Sequence, residues 1–358
     1  MILKSLQVTG FRNLAEQNII LDNGINILHG ENAQGETNFI EAIYFLSMGR
    51  SHRTDNIKEL VFFNKKEARL RGIIERKSST YKVDSGIEIF GNKNKRYAAI
   101  DHVPLQNTKD HFGVVLVVLF SPEDLRLVKS GPEMRRRFMD MEMCQLSKTY
   151  LKVLKDYYRI LRQRNHLLKL MQKGKHDNDL LAVYDNQLAT SGLIIMGKRE
   201  IFIKKINDIA SEIHSFITDG KEKLQLIYAP NIKYDYEKIL QKTLQRDISL
   251  GSTSMGIHKD DLIFEIGNCS ARRFGSQGQQ RTAALSAKLA EAELINELTG
   301  TWPVLLLDDV LSELDKSRHT YLLKKIANMQ TILTCTDITG LDNVKIFEVK
   351  DGVVSDLQ

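Results

Sequence analysis

Residues Gly30–Asn38 read GENAQGETN, and the rest of the chain is organised around them. They directly follow an apolar run at Ile25–Leu28 and lead into an apolar pattern of helical spacing at Phe39–Leu46. An apolar run, a glycine-rich loop and a helical period in this order indicate a strand, a loop and a helix. The stretch therefore predicts an α/β domain with a glycine-rich loop between a strand and a helix.

The loop follows the pattern of a phosphate-binding P-loop at all but one position. In that pattern two glycines separated by four residues let backbone N–H groups surround a phosphate, and Lys and then Ser or Thr for Mg²⁺ follow. Gly30, Gly35 and Thr37 stand where the pattern requires them, but Glu36 occupies the Lys position. The sequence predicts a nucleotide site in which a carboxylate replaces the expected ammonium.

The composition is typical of a globular protein with two domains. With 358 residues and 42% hydrophobic content, the chain can bury a core in each. Its longest apolar run, Val114–Phe120, is too short to cross a bilayer, and its first residues lack a signal-peptide layout. We therefore expect a cytosolic (cytoplasmic) protein with no membrane contact. Cys144, Cys269 and Cys335 lack zinc or disulfide spacing, which predicts buried, reduced thiols.

Positive charge is concentrated in one segment of the chain. The net charge of +6 favours a polyanionic partner only weakly. Residues 146–175, however, contain nine basic residues and one acid, Asp156, so this segment carries +8 and the remaining residues −2. The distribution indicates a local basic surface rather than a uniformly basic protein.

The residues before the basic segment read mainly as strands. Alternating apolar residues predict three strands within residues 2–28, with a turn at Asp22–Gly24. Similar alternation over residues 68–100 predicts an antiparallel meander. The continuous apolar run Val114–Phe120 predicts a strand that is buried on both faces of a parallel sheet.

A helical arm is expected next, because residues 133–218 contain no proline and their apolar positions follow helical spacing. In the first half these positions alternate in steps of four and three, as in a coiled coil, with Arg164 as the interruption. A polar loop at Gly174–Asp179 separates this helix from a second one, so we predict two antiparallel helices. The apolar positions are Leu146, Tyr150, Val153, Tyr157, Ile160, Leu167 and Met171, then Leu181, Tyr184, Leu188, Ile195, Phe202, Ile206, Ile209, Ile213 and Phe216.

A basic stripe runs along the first arm helix, two residues out of phase with the apolar positions. Two residues correspond to roughly 200° around a helix, so the stripe is expected to face solvent. Its length of roughly 37 Å is close to the roughly 35 Å of one turn of duplex DNA. A solvated helix face is the competing interpretation, although such faces usually mix both signs of charge. The stripe contains His166 and seven candidate DNA-binding residues: Lys148, Lys152, Lys155, Arg159, Arg162, Lys169 and Lys173.

After the arm the sequence returns to alternating strand and helix patterns. These patterns predict the continuation of an α/β domain, with the last strand near residue 349. The expected strands are residues 225–228, 262–266, 301–309, 331–335 and 344–349, and the expected helices are residues 279–298 and 316–328.

Two further motifs suit a nucleotide. Val304–Leu307 is followed by Asp308 and Asp309, which places two carboxylates at the carboxyl end of a strand, where open α/β sheets bind ligands. In a nucleotide hydrolase the first of these acids holds Mg²⁺ and the second orients the attacking water. FGSQGQQR at Phe274–Arg281 suits a helix start whose N–H groups meet an anion, although an ordinary capped surface helix has the same pattern.

The order of these features is similar to the ATP-binding-cassette heads of the SMC class, in which a helical arm separates the P-loop from a signature helix and an acid-ended strand. Within that class the chain resembles the RecF family of bacterial recombination mediators, through motifs that extend from Gly10 to Asp315. In GIHKDDL, Ile257 and Lys259 replace the proline and arginine that are more usual in the family, and the motif receives no role. The motifs are LQVTGFRNL, GENAQGETN, SPEDLRLVKSGPEMRRRFMD at Ser121–Asp140, GIHKDDL at Gly256–Leu262, GSQGQQR and LLLDDVLSELD.

The resemblance implies an α/β ATP-binding-cassette (SMC-like) head with an antiparallel β subdomain and an inserted all-α arm. The head would comprise residues 1–122 and 247–358, and the arm residues 123–246. The implied function is ATP-dependent DNA binding in recombinational gap repair, with a homodimer that holds ATP between its heads. Gapped DNA, or its single-strand/double-strand junction, and the proteins RecR and RecO would be partners in loading recombinase.

The resemblance also implies roles for individual residues. Thr37 and Asp308 would hold Mg²⁺, and Asp308 and Asp309 would be catalytic. Because the wider class more often has Glu at the position of Asp309, slow hydrolysis is expected. Asp315 would lie in a loop that crosses the dimer interface. The residues expected to bind ATP are Gly30, Glu31, Asn32, Ala33, Gln34, Gly35, Glu36, Thr37, Asn38, Arg12 and Asn13, with Ser276, Gly278 and Gln279 from the other protomer.

Glu36 changes what is expected of this particular chain. One charge pair at about 4 Å is worth roughly 4 kcal/mol at an effective dielectric near 20, so a carboxylate in place of Lys should weaken ATP binding strongly. We therefore expect no hydrolysis and a monomer. Either Glu36 is a substitution one base away from a Lys codon, or the lineage has lost its dependence on ATP. The first is favoured because the partner residues of the site all remain, namely Thr37, Asp308, Asp309 and Ser276.

Two other classes of function remain as alternatives. One is a non-catalytic cassette-head scaffold whose arm bridges protein partners, and neutralising the basic stripe would discriminate it from a DNA-binding protein. The other is a small-molecule kinase, which the missing P-loop Lys, the signature helix and the arm all disfavour.

Overall fold

The structure, a computed structural model, forms two compact units. The first unit combines Met1–Asp124 with Glu291–Gln358, and the second unit is Leu125–Ala290. The functional boundaries expected from the sequence, at residues 122/123 and 246/247, stay a prediction. The residues that the structure describes are 1–30, 34–76, 79–90, 93–106, 108–232, 235–311, 316–335 and 344–357.

Strands and helices alternate along the chain much as the sequence patterns predict. The strands are β1 (Ile2–Thr9), β2 (Gln17–Ile20), β3 (Ile25–His29), β4 (Glu67–Arg76), β5 (Ser79–Phe90), β6 (Lys93–Ile100), β7 (Val103–Pro104), β8 (Val117–Phe120), β9 (Leu224–Ala229), β10 (Asp261–Ile266), β11 (Cys269–Ser270), β12 (Val304–Leu307), β13 (Thr331–Thr334), β14 (Val344–Lys350) and β15 (Val353–Leu357). The α-helices are α1 (Glu36–Met48), α2 (Leu125–Lys129), α3 (Pro132–Leu146), α4 (Lys148–Met171), α5 (Asn178–Ile217), α6 (Tyr236–Leu250), α7 (Ala271–Phe274), α8 (Gln277–Thr299) and α9 (Lys316–Ile326).

A mostly parallel sheet positions the P-loop in the first unit. Its strand order is β15-β14-β3-β13-β12-β8, and β3 pairs in parallel with both β13 and β14. All four residues of β12 are buried, as the apolar run Val304–Leu307 predicts. Because the carboxyl ends of parallel strands meet at one edge, the loop after β3 and the acids after β12 come to the same edge of the sheet.

An antiparallel sheet forms the other layer of strands in the first unit. Its order among the described residues is β2-β1-β4-β5-β6-β7. The pairs β4–β5 and β5–β6 are antiparallel, which confirms the meander predicted for residues 68–100. Strand β8 begins only at Val117, three residues later than the apolar run that predicted it.

Helix α1 begins directly at the P-loop. Gly35 at its N-cap has φ +133°, a backbone conformation that residues with a side chain rarely adopt. Gly49 ends the helix in the left-handed conformation, and its N–H bonds the carbonyl of Phe45. Apolar residues along the helix, from Phe39 to Met48, are buried. Because the ten consecutive residues Phe39–Met48 are all buried, the helix is enclosed on every side after Asn38.

The second unit contains the predicted arm helices α4 and α5, together with α6 and the sheet β11-β10-β9. Tyr150, Tyr157 and Leu167 of the α4 apolar positions are buried, which confirms the predicted packing face. Phe216, predicted to continue the α5 packing face, is instead 69% exposed, and Ile217 is buried. A helix of 3.6 residues per turn drifts relative to a 3.5-residue repeat, so the repeat fails near the end of a 40-residue helix.

Two expectations need correction, and one helix was not predicted. Val344–Val349 was expected as the last strand, but β15 follows it and pairs with β14 in antiparallel fashion. The sequence patterns gave no prediction for α6. Cys269 is exposed, in the two-residue strand β11, whereas Cys144 is buried and Cys335 is partly buried. Among the described residues, no helix is both long enough and apolar enough to cross a membrane.

Candidate functional site

Polar contacts hold the P-loop at its second half, where the structure describes Gln34 and the residues after it. The Gln34 carbonyl accepts the N–H of Gly352 at 2.9 Å, and its side-chain oxygen accepts the N–H of Asp351 at 2.8 Å. Asn13 donates from Nδ2 to the same carbonyl at 3.3 Å and accepts from Asn38 at 2.7 Å. The loop is therefore held by the turn between β14 and β15 and by a residue that follows β1. The predicted site residues Glu31, Asn32 and Ala33 lie outside the described residues.

The side chain of Glu36 folds back into the loop. Its Oε2 accepts the backbone N–H of Gly35 at 3.0 Å. Its Oε1 lies against Gly30, because a Cβ added at Gly30 would stand 2.2 Å from this oxygen. Backbone N–H groups of such a loop are the donors that bind phosphate oxygens. The carboxylate of Glu36 therefore occupies a donor that an anionic ligand would use.

Thr37 and Asp308 meet at the edge of the parallel sheet. The Thr37 hydroxyl donates to Asp308 Oδ1 at 3.0 Å, and the Thr334 hydroxyl donates to the same oxygen at 3.3 Å. Asp308 is only 7% exposed. Burial raises the pKa of Asp308, and the hydrogen bonds from Thr37 and Thr334 offset part of this rise. The sequence analysis predicted that Thr37 and Asp308 act together, but it gave no role to Thr334.

Asp309 follows directly and adopts a left-handed backbone conformation with φ +50°. Its N–H donates to the Thr334 hydroxyl at 2.7 Å, so the same threonine holds the backbone of one acid and the side chain of the other. The Asp309 side chain is exposed. Residues other than glycine rarely adopt this conformation. At Asp309 it marks a change of chain direction at the end of β12. Asp315 lies outside the described residues.

Sequence reasoning missed a buried carboxylate in α1. Glu41 is fully buried. Its carboxylate accepts hydrogen bonds from Nε and Nη2 of Arg12, both at 2.9 Å, and from Nη1 of Arg53 at 3.3 Å. The Ser51 hydroxyl also donates to it. Burial alone would raise the pKa of Glu41, but the hydrogen bonds from Arg12 and Ser51 bring it below the ordinary value. The signal that could have revealed it is that Glu41 is the one acidic residue within the apolar stretch Phe39–Leu46.

This network determines what Arg12 can do. Arg12 has φ +50°, and its Nη1 also donates to the carbonyl of Glu59 at 2.9 Å. The guanidinium is thus held by protein acceptors on three sides, and Asn13 is held by Gln34 and Asn38. Asn13 contacts the loop at Gln34, whereas Arg12 contacts Glu41 of α1 and the Glu59 carbonyl. The contact of either residue with a nucleotide stays a prediction.

In the second unit, Ser276 and Gln279 form a reciprocal cap at the start of α8. The N–H of Gln279 donates to Ser276 Oγ at 3.2 Å, and the N–H of Ser276 donates to Gln279 Oε1 at 2.9 Å. This is a capping box with Gln at its third position. The Gly278 carbonyl accepts the Thr282 hydroxyl at 2.8 Å. Ser276 is exposed, so its hydroxyl is accessible from solvent.

The basic stripe lies on the exposed side of α4, as predicted. All eight of its residues are exposed, and Lys173 stands just after the end of the helix. Asp156 pairs with Arg159 at 3.2 Å, and within the described ranges no other stripe residue forms an ion pair with a carboxylate. The arrangement presents positive charge along one face of the helix, where a row of phosphates could be contacted.

Arg164, the interruption in the α4 apolar pattern, is fully buried. Its Nε donates to Asp185 at 2.5 Å, and its Nη1 donates to both Asp247 and Thr253 at 2.8 Å. Asp247 belongs to α6, the helix that the sequence patterns missed. The arginine therefore joins α4, α5 and α6 rather than breaking the packing.

The GIHKDDL motif is a second buried junction in this unit. Asp260 accepts Arg199 Nη1 of α5 at 2.8 Å, and Asp261 accepts Arg135 of α3 at 2.6 and 2.9 Å. His258 Nδ1 lies 2.8 Å from the Tyr157 hydroxyl of α4. Burial lowers the pKa of His258 to about 4. The motif therefore has a structural role, which is to connect three helices to β10.

These geometries fit Mg²⁺ better than they fit a phosphate. Thr37 and Asp308 are the oxygen ligands that a nucleotide-bound Mg²⁺ prefers, and they already lie together. The loop does not fit a phosphate equally well, because the Gly35 N–H is bonded to the Glu36 carboxylate. Among the described residues, no cluster of three or more His, Cys, Asp or Glu could hold a metal ion by itself. A metal at Thr37 and Asp308 would need ligands from a bound nucleotide or from water.

Comparison with known proteins identifies the family of the chain. Residues 2–349 match the family described as the RecF/RecN/SMC N terminal domain. The chain is 42% identical over 361 residues to the DNA replication and repair protein RecF of Lachnoclostridium phytofermentans, covering 99% of each chain. It is 41% identical over 372 residues to RecF of Staphylococcus aureus strain JH9, covering 99% of this chain and 100% of the relative.

Solved structures give the same result. The chain superposes with a TM-score of 0.93 and 35% identity on the recombination mediator protein RecF-ATPrS in the RecFOR pathway, covering 100% of this chain and 98% of that one. An Smc head bound to the C-winged helix domain of ScpA superposes with a TM-score of 0.58 at 15% identity, which shows the shared fold alone. The SMC-like head fold expected from the sequence is thus confirmed, and the chain belongs to the RecF family.

Proposed function

We propose that this protein is a DNA-binding protein of recombinational repair, built on an ATP-binding-cassette head. The observation that carries the proposal is the Thr37–Asp308 contact of 3.0 Å, because it joins the helix of the P-loop to the acid-ended strand β12. Residues 1–122 and 247–358 would act as the head, and residues 123–246 as the arm. The curated relatives named as DNA replication and repair proteins support this assignment.

The solved relatives support a more specific proposal for partners. Two solved structures, one named RecF-ATP and the other RecF-ATPrS, are each described as the recombination mediator protein of the RecFOR pathway. By this likeness we assign ATP and Mg²⁺ as the family's cofactors, and RecO and RecR as protein partners. The ligand would bridge two heads, with Ser276, Gly278 and Gln279 of one protomer facing the nucleotide of the other. Gapped DNA would be bound by the dimer.

The same proposal makes this chain deficient in ATP binding and hydrolysis. Glu36 places negative charge where a phosphate would lie and bonds the Gly35 N–H that would receive it. Two effects therefore act together, charge repulsion and occupancy of a donor. The chain would remain monomeric in the presence of ATP, and Asp309 would not act on a bound nucleotide.

Size-exclusion chromatography with light scattering tests the assignment. The chain and its Glu36→Lys variant would each be measured with Mg-ATP and a gapped duplex. We expect a monomer for the chain as it stands and a dimer for the variant. A variant that stays monomeric at millimolar ATP, while remaining folded, would count against an ATP-dependent dimer.

A scaffold whose arm bridges protein partners is the second candidate, and the exposed stripe on α4 favours DNA over it. Neutralising Lys152, Lys155, Arg159 and Arg162 to Gln should lower the slope of log affinity against log salt by roughly 3 to 4 if each contacts a phosphate. The matched control neutralises four exposed lysines outside the stripe. Unchanged DNA affinity in the stripe variant would favour the scaffold. The control lysines are Lys204, Lys205, Lys221 and Lys223.

A further inference from the structure

A series of hydrogen bonds connects the end of the long arm helix α5 to Gly275 and Ser276. These two residues lie between α7 and α8 and are called the Ser276 loop below. The series starts at His214 in the last turn of α5, passes through Glu222 in the connection to β9, and ends at Gln279 in the first turn of α8. We propose that Glu222 and His214 are positioning residues that hold the Ser276 loop in a fixed relation to the base of the arm. The contacts stand independently of the proposed function, but the consequence for a nucleotide rests on it.

Glu222 is the central residue because it uses its two oxygens in two directions. Its Oε1 accepts Gln279 Nε2 at 2.9 Å, and its Oε2 lies 3.2 Å from His214 Nε2. A carboxylate can only accept, so His214 Nε2 must carry the proton in this contact. One side chain, 25% exposed, thus bridges α5 and α8.

Both polar atoms of the Gln279 side-chain amide are hydrogen-bonded within the protein. Its Nε2 is bonded to Glu222, and its Oε1 accepts the N–H of Ser276 at 2.9 Å. Its own N–H is bonded to Ser276 Oγ at 3.2 Å. Both polar atoms of the amide thus help to orient the loop, and Gln279 has a role in positioning Ser276.

His214 fixes the other end of the chain of contacts. The side chain is fully buried, and its Nδ1 lies 3.2 Å from the Ser286 hydroxyl of α8. The Ser286 Oγ also lies 2.8 Å from the Thr282 carbonyl, so its one proton has two acceptors within reach, this carbonyl and His214 Nδ1. The imidazole thus contacts α8 nearly three turns after Ser276, whereas Glu222 contacts its first turn at Gln279. A shift of the last turn of α5 would be transmitted to both points of α8.

Hydrogen exchange on the chain as it stands tests this positioning without any nucleotide. Glu222→Ala removes both contacts of the bridge, and the amides of Ser276 and Gln279 should then exchange about tenfold faster, the factor expected for the loss of one hydrogen bond to a charged group. Asp219→Asn is the matched control, because Asp219 is an exposed carboxylate in the same connection and should leave these rates unchanged.

Two further variants keep the test decisive. Glu222→Gln retains one acceptor and should give an intermediate rate, whereas a purely steric role of this side chain would make it behave like the unchanged chain. His214→Gln should speed exchange at Gln279 if the chain of contacts extends into α5. Thermal unfolding of each variant identifies any loss of fold. Unchanged exchange of Ser276 and Gln279 in a folded Glu222→Ala variant would overturn the proposal.

Addition of a gapped duplex separates this inference from the proposed function. DNA bound at the α4 stripe should alter exchange in residues 276–280 of the unchanged chain, and much less in Glu222→Ala. Equal changes in both chains would overturn transmission through Glu222. If fluorescence anisotropy detects no DNA binding, the proposed function fails, and the measurements without DNA still decide the positioning role.

Discussion

The P-loop and the buried junctions of the second unit treat their charges in opposite ways. In the second unit, Arg164 and Arg199 are fully buried, and each meets two carboxylates. At the P-loop, the carboxylate of Glu36 is bonded to a backbone N–H next to the place of a phosphate. Each buried arginine is neutralised by carboxylates of the same chain. At the P-loop, by contrast, a carboxylate of the chain occupies a donor that an anionic ligand would use.

The difference separates charges that the fold requires, at the buried arginines, from a charge that it does not require, at Glu36. A buried guanidinium requires its partners for the fold to form, because an unpaired buried charge is strongly destabilising. A P-loop has no such requirement, so a carboxylate at residue 36 leaves the fold intact. Thr37 and Thr334 still donate hydrogen bonds to the same oxygen of Asp308. Substitutions in the two regions should therefore affect different measurements.

The largest expected effect is on nucleotide affinity. Glu36→Lys should raise ATP affinity by at least roughly 10³-fold, because one charge pair at about 4 Å is worth roughly 4 kcal/mol and a repulsion is also removed. Isothermal titration calorimetry with Mg-ATP measures this directly. Glu36→Gln is the matched control, since it removes the repulsion without supplying an ammonium, and it should recover only part of the gain. Micromolar ATP affinity in the unchanged chain would contradict the comparison.

A similar size of effect, but on stability, is expected at the buried junction. Arg164→Met leaves Asp185 and Asp247 without their guanidinium, which should cost about 3 to 5 kcal/mol of the free energy of unfolding. Arg159→Met is the control on the same helix, because its pair with Asp156 is exposed and should contribute at most about 1 kcal/mol. Urea denaturation measures both. Equal losses in the two variants would show that the junction gains nothing from burial.

The third prediction concerns pH and His258. Its folded-state pKa of about 4 lies below the ordinary value of 6.5, so the unfolded chain binds more protons between these limits. The stability from this group is fully present above pH 6.5 and is lost as the pH falls towards 4, by about 3 kcal/mol in total.

Urea denaturation of the chain and of His258→Gln at several pH values checks this contribution. The difference in stability between the two should shrink as the pH falls from 6.5 to 4. His176→Gln serves as the control, because His176 is an exposed histidine in the connection between α4 and α5. A difference that stays constant with pH would mean that His258 is not buried in its neutral form.

The smallest predicted effect is at Asn13, beside the P-loop. Asn13→Ala removes the contacts with the Gln34 carbonyl and with Asn38, and should cost about 1 kcal/mol of stability. In the Glu36→Lys background it should also weaken ATP binding, because the loop loses one of its supports. Thermal unfolding and ATP titration measure the two effects. A loss of stability without any loss of ATP affinity would show that Asn13 supports the fold and not the loop.

Much of the fold could be predicted because its elements follow simple periods. The strand, loop and helix around Gly30 to Leu46, the acid-ended strand and the two arm helices have patterns that depend only on which faces are buried. Helix α6 was missed because most of its residues are polar and only Tyr236, Leu240 and Asp247 are buried. Phe216 was assigned wrongly because a fixed repeat cannot follow a straight helix over its whole length.

The candidate site was predictable only in part, because its supports come from distant positions. Thr37 and Asp308 were found through local motifs, but Thr334 belongs to a strand with no motif of its own. The pairing of Arg164 with Asp247 joins residues 83 positions apart, and no local pattern encodes such a contact. The Glu36 side chain turns back into the loop because of its rotamer and its hydrogen bond with the Gly35 N–H. An argument from charge alone predicts neither of these.

The strand order of the parallel sheet has a consequence for how the protein is made. Strand β3 comes from the start of the chain, but its two neighbours, β13 and β14, come from residues 331–334 and 344–350. On a translating ribosome, Ile27 and Leu28 must therefore wait, unpaired, for more than 300 residues of synthesis. Pairings of such long sequence separation form slowly, and the exposed apolar strand is vulnerable to aggregation while it waits. The P-loop that follows β3 is completed only after the arm has emerged, so the first unit should depend on chaperones more than the second.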